Sequence, residues 1–344
     1  MSTSAWLDWM NSLMGGKPRH SYAATFPPDQ YYCLLDELPL HLVPQQAVAL
    51  LRAGDKDVGR LILNPECVFS RGRELPAEIE RDRSLLEKFA LQGTVAWVMN
   101  RTANTTLPFW LGPNLERKLA DVRSGNRPSS SMDSAEIALL RAAGILISDD
   151  RHANPRPDGE GRVNRSRVLF QEKGYAPMAG LIHPFHVAAL RRYYRCLIRT
   201  GAIHLGDGQS ARRYVAHNEP VARFFHHQIA PALSGVTGVA LKPSYVYLAS
   251  YLNGADLKKH TDRAQCEFSV TLCLDFSPEP ALETPWPICL ETPSGTVTVY
   301  QALGDGLAYR GTQLPHYRDV LGDGQTSTSV FFHYVSADFG GPLD

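Results

Sequence analysis

From Ser244 onward the chain is cut into short apolar runs by closely spaced turn signals, and this punctuation limits the fold more than any other feature. The signals are Leu252-Asn253-Gly254, the proline-rich Ser277 to Pro287, Pro293-Ser294-Gly295, Gly304-Asp305-Gly306 and Gly322-Asp323-Gly324. Runs bounded this way read as strands. Cys266 to Phe276 shows the period of two most clearly: Phe268, Val270, Leu272 and Leu274 share one face, and Glu267, Ser269, Thr271 and Asp275 the other. About eight short strands at this spacing argue for a sandwich or a jelly roll. Two helices precede them and would buttress one sheet. One runs from Pro184 to Arg199, with Val187, Leu190, Tyr194 and Leu197 at helical spacing, and the other lies near Glu219 to Leu233.

The first half of the chain has a different texture. Helical segments at Gln45 to Ala53 and Ala77 to Leu91 are mixed with short apolar runs such as Leu61 to Leu63. A polar break at Gly125 to Ser131 is followed by Asp133 and Glu136, spaced as a capping box before a helix over Ala135 to Ala143. Gly144 ends that helix, and Ile145 to Ile147 read as extended. This order is faintly like a winged-helix module, and a plain α+β domain accounts for it as well. Asp149 to Arg167 is rich in proline, glycine and charge and reads as a linker. The expected architecture is α+β, with a mixed N-terminal domain over 1–148, a linker over 149–167 and a jelly-roll domain over 168–344.

Composition removes several function classes. Of the 344 residues, 44% are hydrophobic and 20% charged, enough apolar material for a sizeable core. Lys plus Arg and Asp plus Glu number 35 each, so no global field favours nucleic acid or an anionic membrane. The six cysteines, Cys33, Cys67, Cys196, Cys266, Cys273 and Cys289, form no Cys-x-x-Cys pair, which leaves zinc-knuckle and thioredoxin-type readings unsupported. Cys266 and Cys273 read as reduced core thiols. Met1 to Lys17 lacks the pattern of a secretory leader, and no run approaches the ~18 apolar residues of a membrane span. The expectations are no nucleic-acid partner, no membrane and a reducing cytoplasm.

His260-Thr261-Asp262 carries the chemistry. On an extended chain, positions i and i+2 point to the same side, so the imidazole and the carboxylate can reach one ion. A second imidazole from a distant strand would complete three ligands on one face of an octahedron, leaving the other face open, as expected of non-haem Fe(II) oxygenases. His316, after the turn Arg310 to Pro315 and at the start of an extended segment to Leu321, is that candidate. A rival is His217-Asn218-Glu219, with His226 and His227 downstream. Pro220 and helical surroundings spoil its same-face geometry.

The context of His260 resembles the Fe(II)- and 2-oxoglutarate-dependent dioxygenase superfamily, particularly its prolyl-hydroxylase-like branch. The residues that carry the resemblance are Tyr251-Leu-Asn-Gly254, Leu257 and His260-Thr-Asp262, then the strand Phe268 to Leu274, Gly304-Asp305-Gly306, Gly311 and His316. Phe170 to Tyr175 and Gly180-Leu-Ile look like the strand and helix that open the domain. The resemblance spans about residues 165–344. It implies a double-stranded β-helix with Fe(II) on His260, Asp262 and His316, and 2-oxoglutarate and O2 as cosubstrates. The implied reaction is hydroxylation of an unactivated C–H bond, with succinate and CO2 as coproducts. A carboxylate ligand at Asp262 leaves no position for chloride and so favours hydroxylation over halogenation.

One element departs from the family pattern. The family supplies an Arg or Lys downstream of the distal histidine to pair with the far carboxylate of 2-oxoglutarate. Here the corresponding stretch is Gln325 to Ser329, and no Lys or Arg follows Arg318. A buried dicarboxylate still needs a cation. Arg318, two residues beyond His316 and so on the ligand's face, is the expected replacement, helped by Tyr251 and by a hydroxyl from Ser269, Ser327 or Ser329. A surface salt bridge with Asp319 is the competing reading. Arg310 is assigned to substrate, and Trp286 to a lid over the site or to rim packing. Arg212-Arg213-Tyr214 and His217-Asn218 read as a solvated face or as lining of the mouth. The expected substrate is an amino-acid side chain, free or in a peptide or protein that the N-terminal domain would help to bind. The alternatives are a small-molecule biosynthetic hydroxylase, with that domain as lid or homodimer surface, and a metal-binding jelly roll without turnover.

Overall fold

The computed structural model describes residues 26–38, 42–44, 60–72, 74–100, 104–125, 127–149 and 158–344. The Gln45 to Ala53 helix and the Met1 to Lys17 segment lie outside the described residues. The chain divides into two units. One holds most of the first 156 residues together with 184–193, and the other holds 157–183 and 194–344.

In the first unit, β1 (Leu61–Leu63) pairs antiparallel with β5 (Leu146–Ser148), and β2 (Cys67–Arg71), β3 (Thr94–Asn100) and β4 (Thr105–Leu111) form a three-stranded antiparallel sheet. Its core is aromatic. Trp97 and Trp110 are fully buried, and each indole N–H finds an acceptor, Ser70 Oγ at 2.7 Å and the Ala90 carbonyl at 2.5 Å. Ala77 to Leu91 is not one helix. A single turn, α1 (Ala77–Glu80), gives way at Asp82 (φ −99°, ψ 10°) to a 3-10 turn over Arg83–Leu86. After α2 (Pro113–Arg123), α3 (Ser134–Ala142) begins on the expected capping box: Asp133 accepts from the Glu136 amide at 2.8 Å and Glu136 from the Asp133 amide at 3.0 Å. Gly144, at φ +78°, turns the chain out of that helix into β5.

The expected linker is corrected by the structure. Residues 158–167 are the first part of a helix, α4 (Asp158–Lys173). Along its described side chains it buries little: Val163 and Val168 remain exposed, while Phe170 is fully buried. The segment from Phe170 therefore ends a helix before β6 (Tyr175–Met178) begins. Then come α5 (Pro184–Arg199), β7 (His204–Leu205), β8 (Arg213–His217) and α6 (Pro220–Thr237). Glu219 caps α6 by accepting from the Ala222 amide at 2.9 Å and also takes the Tyr194 hydroxyl at 2.7 Å, which removes it from the rival metal set.

Eight strands follow: β9 (Leu241–Tyr251), β10 (Leu257–His260), β11 (Phe268–Ser277), β12 (Ile288–Thr292), β13 (Gly295–Val299), β14 (Gly306–Tyr309), β15 (His316–Arg318) and β16 (Thr326–Ser336). They sort into a seven-stranded sheet, β6-β14-β11-β16-β9-β8-β7, and a four-stranded sheet, β10-β15-β12-β13, with antiparallel pairing throughout. The alternation in β11 runs opposite to the usual expectation of an apolar interior. Its apolar face is turned outward under helices: Phe170 of α4 lies 6.2 Å from Phe268, and on neighbouring β16 Phe332 and Tyr334 pack on His226 of α6. Ser269, Thr271 and Cys273 face inward, toward the smaller sheet. An interior apolar cluster of Ile288, Leu290, Leu307, Tyr309 and Leu314 ties the two sheets together.

Candidate metal centre

β10 and β15 are hydrogen-bonded neighbours, and their register places His260 directly opposite His316. Their ring centroids are 4.4 Å apart. Asp262, just beyond β10, brings Oδ1 to 3.7 Å from His260 Nε2 and 3.5 Å from His316 Nε2. One ligand atom from each of the three residues lies within 4.8 Å of the others. In both histidines Nδ1 is 2.7–3.0 Å from a backbone carbonyl, that of Lys258 for His260 and of Leu314 for His316. A carbonyl only accepts, so each Nδ1 carries the hydrogen and each Nε2 turns a lone pair toward the shared point. This donor set, two neutral imidazoles and one carboxylate with one side open, fits a divalent first-row metal.

The surroundings fix the carboxylate. Ser269 Oγ donates to Asp262 Oδ2 at 2.8 Å, and the Asp262 amide donates to the Gly311 carbonyl at 2.9 Å. A side chain at Gly311 would collide with Asp262 Oδ2 and Ser269 Oγ, so the close approach requires glycine. Burial alone would raise the Asp262 pKa. His316 and the neighbouring imidazoles in their protonated forms, together with the Ser269 hydroxyl, outweigh it and hold the group at about 2. A second trio, Asp262, Cys266 and His333, is also close together. It shares Asp262, and its donors are already engaged: Cys266 Sγ lies 3.0 Å from the Tyr245 hydroxyl, and Asp262 Oδ2 and His333 Nδ1 both meet Ser269 Oγ.

The three ligands line a cavity of about 360 Å³ with Tyr251, Tyr309, His333 and Arg213 among its other walls. Arg318 sits two residues beyond His316 and is 4% exposed. Its guanidinium donates to the Trp286 carbonyl at 2.5 Å and to Gln301 Oε1 at 3.3 Å, and stacks 4.8 Å over the Trp286 ring. The surface salt bridge with Asp319 is not formed. Arg318 has no carboxylate partner among the described residues, and its buried Nε has no hydrogen-bond partner. Burial pushes its pKa below the ordinary arginine value. Ser329 Oγ, on the inward face of β16, is also buried without a partner. Ser327 is buried opposite Tyr251 on the neighbouring strand.

Two expectations are corrected, and of the two readings of Trp286 the lid falls while packing stands. Ser269 is engaged by Asp262 and so positions a metal ligand instead of contacting a cosubstrate. Trp286 is no lid: it is 4% exposed, donates to the Asp319 carbonyl at 2.7 Å and supports Arg318 and Tyr251. Arg310 follows inward-facing Tyr309 and therefore points outward, over the rings of Phe170 and Phe268. His217 lines the cavity, but its Nε2 pairs with Asp344 at 3.1 Å. His226 is fully buried against the His333 carbonyl, which leaves the rival set without metal geometry.

Sequence reasoning undervalues Arg213, which is 3% exposed and lines the cavity. It donates to Asp207 Oδ2 at 2.5 and 3.0 Å and to the Tyr251 hydroxyl at 3.2 Å. Asp207 also accepts from Tyr247 at 2.6 Å and from the amides of Gln209 and Ser210 at 2.9 Å. Burial opposes this charge, but the donors hold the carboxyl at about 2. Because the folded pKa lies below the unfolded value of about 3.9, the clamp stabilises fully above that value and is lost as pH falls toward the folded pKa. The stability advantage of wild type over Asp207→Asn, read as a difference in urea midpoint, should therefore shrink from about pH 5 down to about pH 2. A pH-independent difference would show that the clamp does not act through its charge.

No family model and no curated protein matches this sequence. Among solved structures, the chain is similar to the epimerase SnoN from nogalamycin biosynthesis, determined in complex with Fe3+, alpha ketoglutarate and nogalamycin RO. Identity is 14%, with 52% of this chain and 84% of that chain covered at a TM-score of 0.44. It is similar to a Pseudomonas putida prolyl-4-hydroxylase at 16% identity, covering 50% and 98%, with a TM-score of 0.40. It is also similar to HygX from Streptomyces hygroscopicus, determined with nickel, 2-oxoglutarate and hygromycin B bound, at 13% identity, covering 51% and 88%, with a TM-score of 0.41. No helix among the described residues is long and apolar enough to cross a membrane.

Proposed function

We propose that this chain is an Fe(II)- and 2-oxoglutarate-dependent oxygenase that hydroxylates an unactivated C–H bond. The observation that carries the reading is a two-histidine, one-carboxylate triad with Nε2 lone pairs presented, and, two residues along β15 from His316, a buried arginine with no carboxylate partner among the described residues. The triad by itself suits many metals and reactions, and the arginine by itself suits any anion. Together they match a metal and a dicarboxylate bound side by side. Strand order agrees with a double-stranded β-helix. Counting β9 to β16 as one to eight, the large sheet contains 6-3-8-1 and the small sheet is 2-7-4-5, as expected of a jelly roll.

In this reading His260, Asp262 and His316 hold the iron, which with 2-oxoglutarate supplies the dioxygen chemistry when bound. Arg318 pairs with the far carboxylate of the cosubstrate, and the free Ser329 hydroxyl, Ser327 and Tyr251 supply further polar contacts. Ser269 ties up Asp262 Oδ2 and so leaves Oδ1 to face the metal. The Asp207–Arg213 clamp shapes the cavity wall. The substrate class we favour is an amino-acid side chain, free or within a peptide or protein.

Adding Fe(II) and then 2-oxoglutarate to the anaerobic protein tests the reading. A weak visible charge-transfer band is expected in wild type and should be lost in His260→Ala. Iron bound without the band would instead support a metal-binding jelly roll without 2-oxoglutarate turnover, and no iron bound would remove both readings.

A further inference from the structure

Two contacts beside Asp262 compete for one proton. Ser269 Oγ lies 2.8 Å from Asp262 Oδ2 and 2.9 Å from His333 Nδ1. An ionised carboxylate only accepts, and a serine hydroxyl carries a single hydrogen. The Ser269 proton is therefore committed to Asp262, and the second contact is a hydrogen bond only if His333 Nδ1 donates. That fixes the tautomer, with the hydrogen on Nδ1 and a lone pair on Nε2. Strand register holds the arrangement, since Ser269 of β11 and His333 of β16 are directly paired.

His333 lines the cavity that holds the three ligands, and a ring nitrogen lies within 4.8 Å of a ligand atom of Asp262. Its Nε2 has no hydrogen-bond partner among the described residues: the ring's one hydrogen bond is to Ser269. The other polar groups on this wall are already engaged. The Tyr245 hydroxyl is 3.0 Å from Cys266 Sγ, and the Tyr247 hydroxyl donates to Asp207. Burial keeps the imidazole neutral, with its pKa lowered to about 4. The cavity thus presents a fixed, neutral acceptor close to the metal ligands. An apolar group placed against it would strand that acceptor away from water, which disfavours ligands that lack a donor.

We propose that His333 is a specificity-determining residue whose Nε2 accepts a hydrogen bond from the substrate, so that the substrate carries a hydroxyl or N–H donor close to the carbon presented to the metal. This rests on the oxygenase reading for the word substrate; the acceptor and its tautomer stand on the geometry alone.

The test uses the full chain labelled with ¹⁵N-histidine and loaded with Zn(II), which binds the triad but turns nothing over. N-methylacetamide and N,N-dimethylacetamide are then titrated as probes of similar shape, of which only the first has an N–H. His333 is identified by loss of its cross-peaks in His333→Gln. In the free protein it should show a pyrrole-type Nδ1 and a pyridine-type Nε2, and the Nε2 resonance should shift with N-methylacetamide and stay in place with N,N-dimethylacetamide. Ser269→Ala should erase the tautomer preference, and it identifies the ring if His333→Gln does not fold. An Nε2–H tautomer, or the same response to both probes, shift or none, overturns the proposal. Because zinc replaces iron and no 2-oxoglutarate is present, failure here leaves the charge-transfer experiment untouched, and failure there leaves this result standing.

Discussion

Arg318→Met is expected to weaken 2-oxoglutarate binding by at least about 30-fold, because stripping a buried carboxylate of its charged partner costs about 2–5 kcal/mol. The metal-free protein should meanwhile keep its thermal midpoint within a few degrees. The two outcomes belong together. Arg318 is buried with an unpartnered Nε and, among the described residues, no carboxylate partner, so the free fold carries the desolvation of a cation without the compensating ion pair. An apolar side chain of similar length removes that burden and keeps the packing on Trp286. What it forfeits are the hydrogen bonds to the Trp286 carbonyl and to Gln301 Oε1 and the cation's stacking on the Trp286 ring, losses that the relief of desolvation offsets. Titration calorimetry of 2-oxoglutarate into zinc-loaded protein, set beside thermal unfolding without metal, reads both. Unchanged affinity with a much lower midpoint would make Arg318 a structural residue.

His316→Gln should lower Fe(II) affinity by at least about 100-fold, since loss of an outer partner of a metal ligand already costs 10–100-fold and here a ligand itself is lost. Glutamine keeps volume and polarity at a position that is 3% exposed, which separates the metal effect from collapse of the core. Anaerobic equilibrium dialysis measures the affinity, and the thermal midpoint without metal checks the fold. Iron retained at wild-type affinity in a folded variant would mean that the three residues are not the binding set.

The parts of this protein legible in sequence are those whose geometry is local. Turn signals cut the C-terminal strands at the right places, the i, i+2 spacing of His260 and Asp262 puts both on one side of an extended segment, and Asp133 with Glu136 marks the start of α3. What escapes depends on pairing between distant segments. Arg213 reads as one of several exposed cations until β8 is laid against β9, which sets it beside Tyr251. His333 lies in an almost wholly apolar run, and nothing in the sequence singles it out. Only its register with Ser269 shows which ring nitrogen is left over. For Trp286 and Arg310 the strand neighbours are readable along the chain, but the side of the sheet on which each emerges is not. The helix at Asp158 is hidden by composition, since among its described side chains only Phe170 is fully buried.

The inside-out patterning of β11 bears on how such a molecule can change over time. Val270, Leu272 and Leu274 carry the hydrophobic stabilisation on the helix-covered side, where even one lost methylene is felt. Thr271, Cys273 and Phe331, on the opposite side, are committed neither to the metal ligands nor to the cosubstrate. Exchanging them redraws the shape and polarity of the chamber while the helix-backed layer goes on holding the strands in register. Stability and the character of the chamber are thus written on opposite faces of one sheet, so a lineage could reshape what the chamber admits through one face without eroding the other.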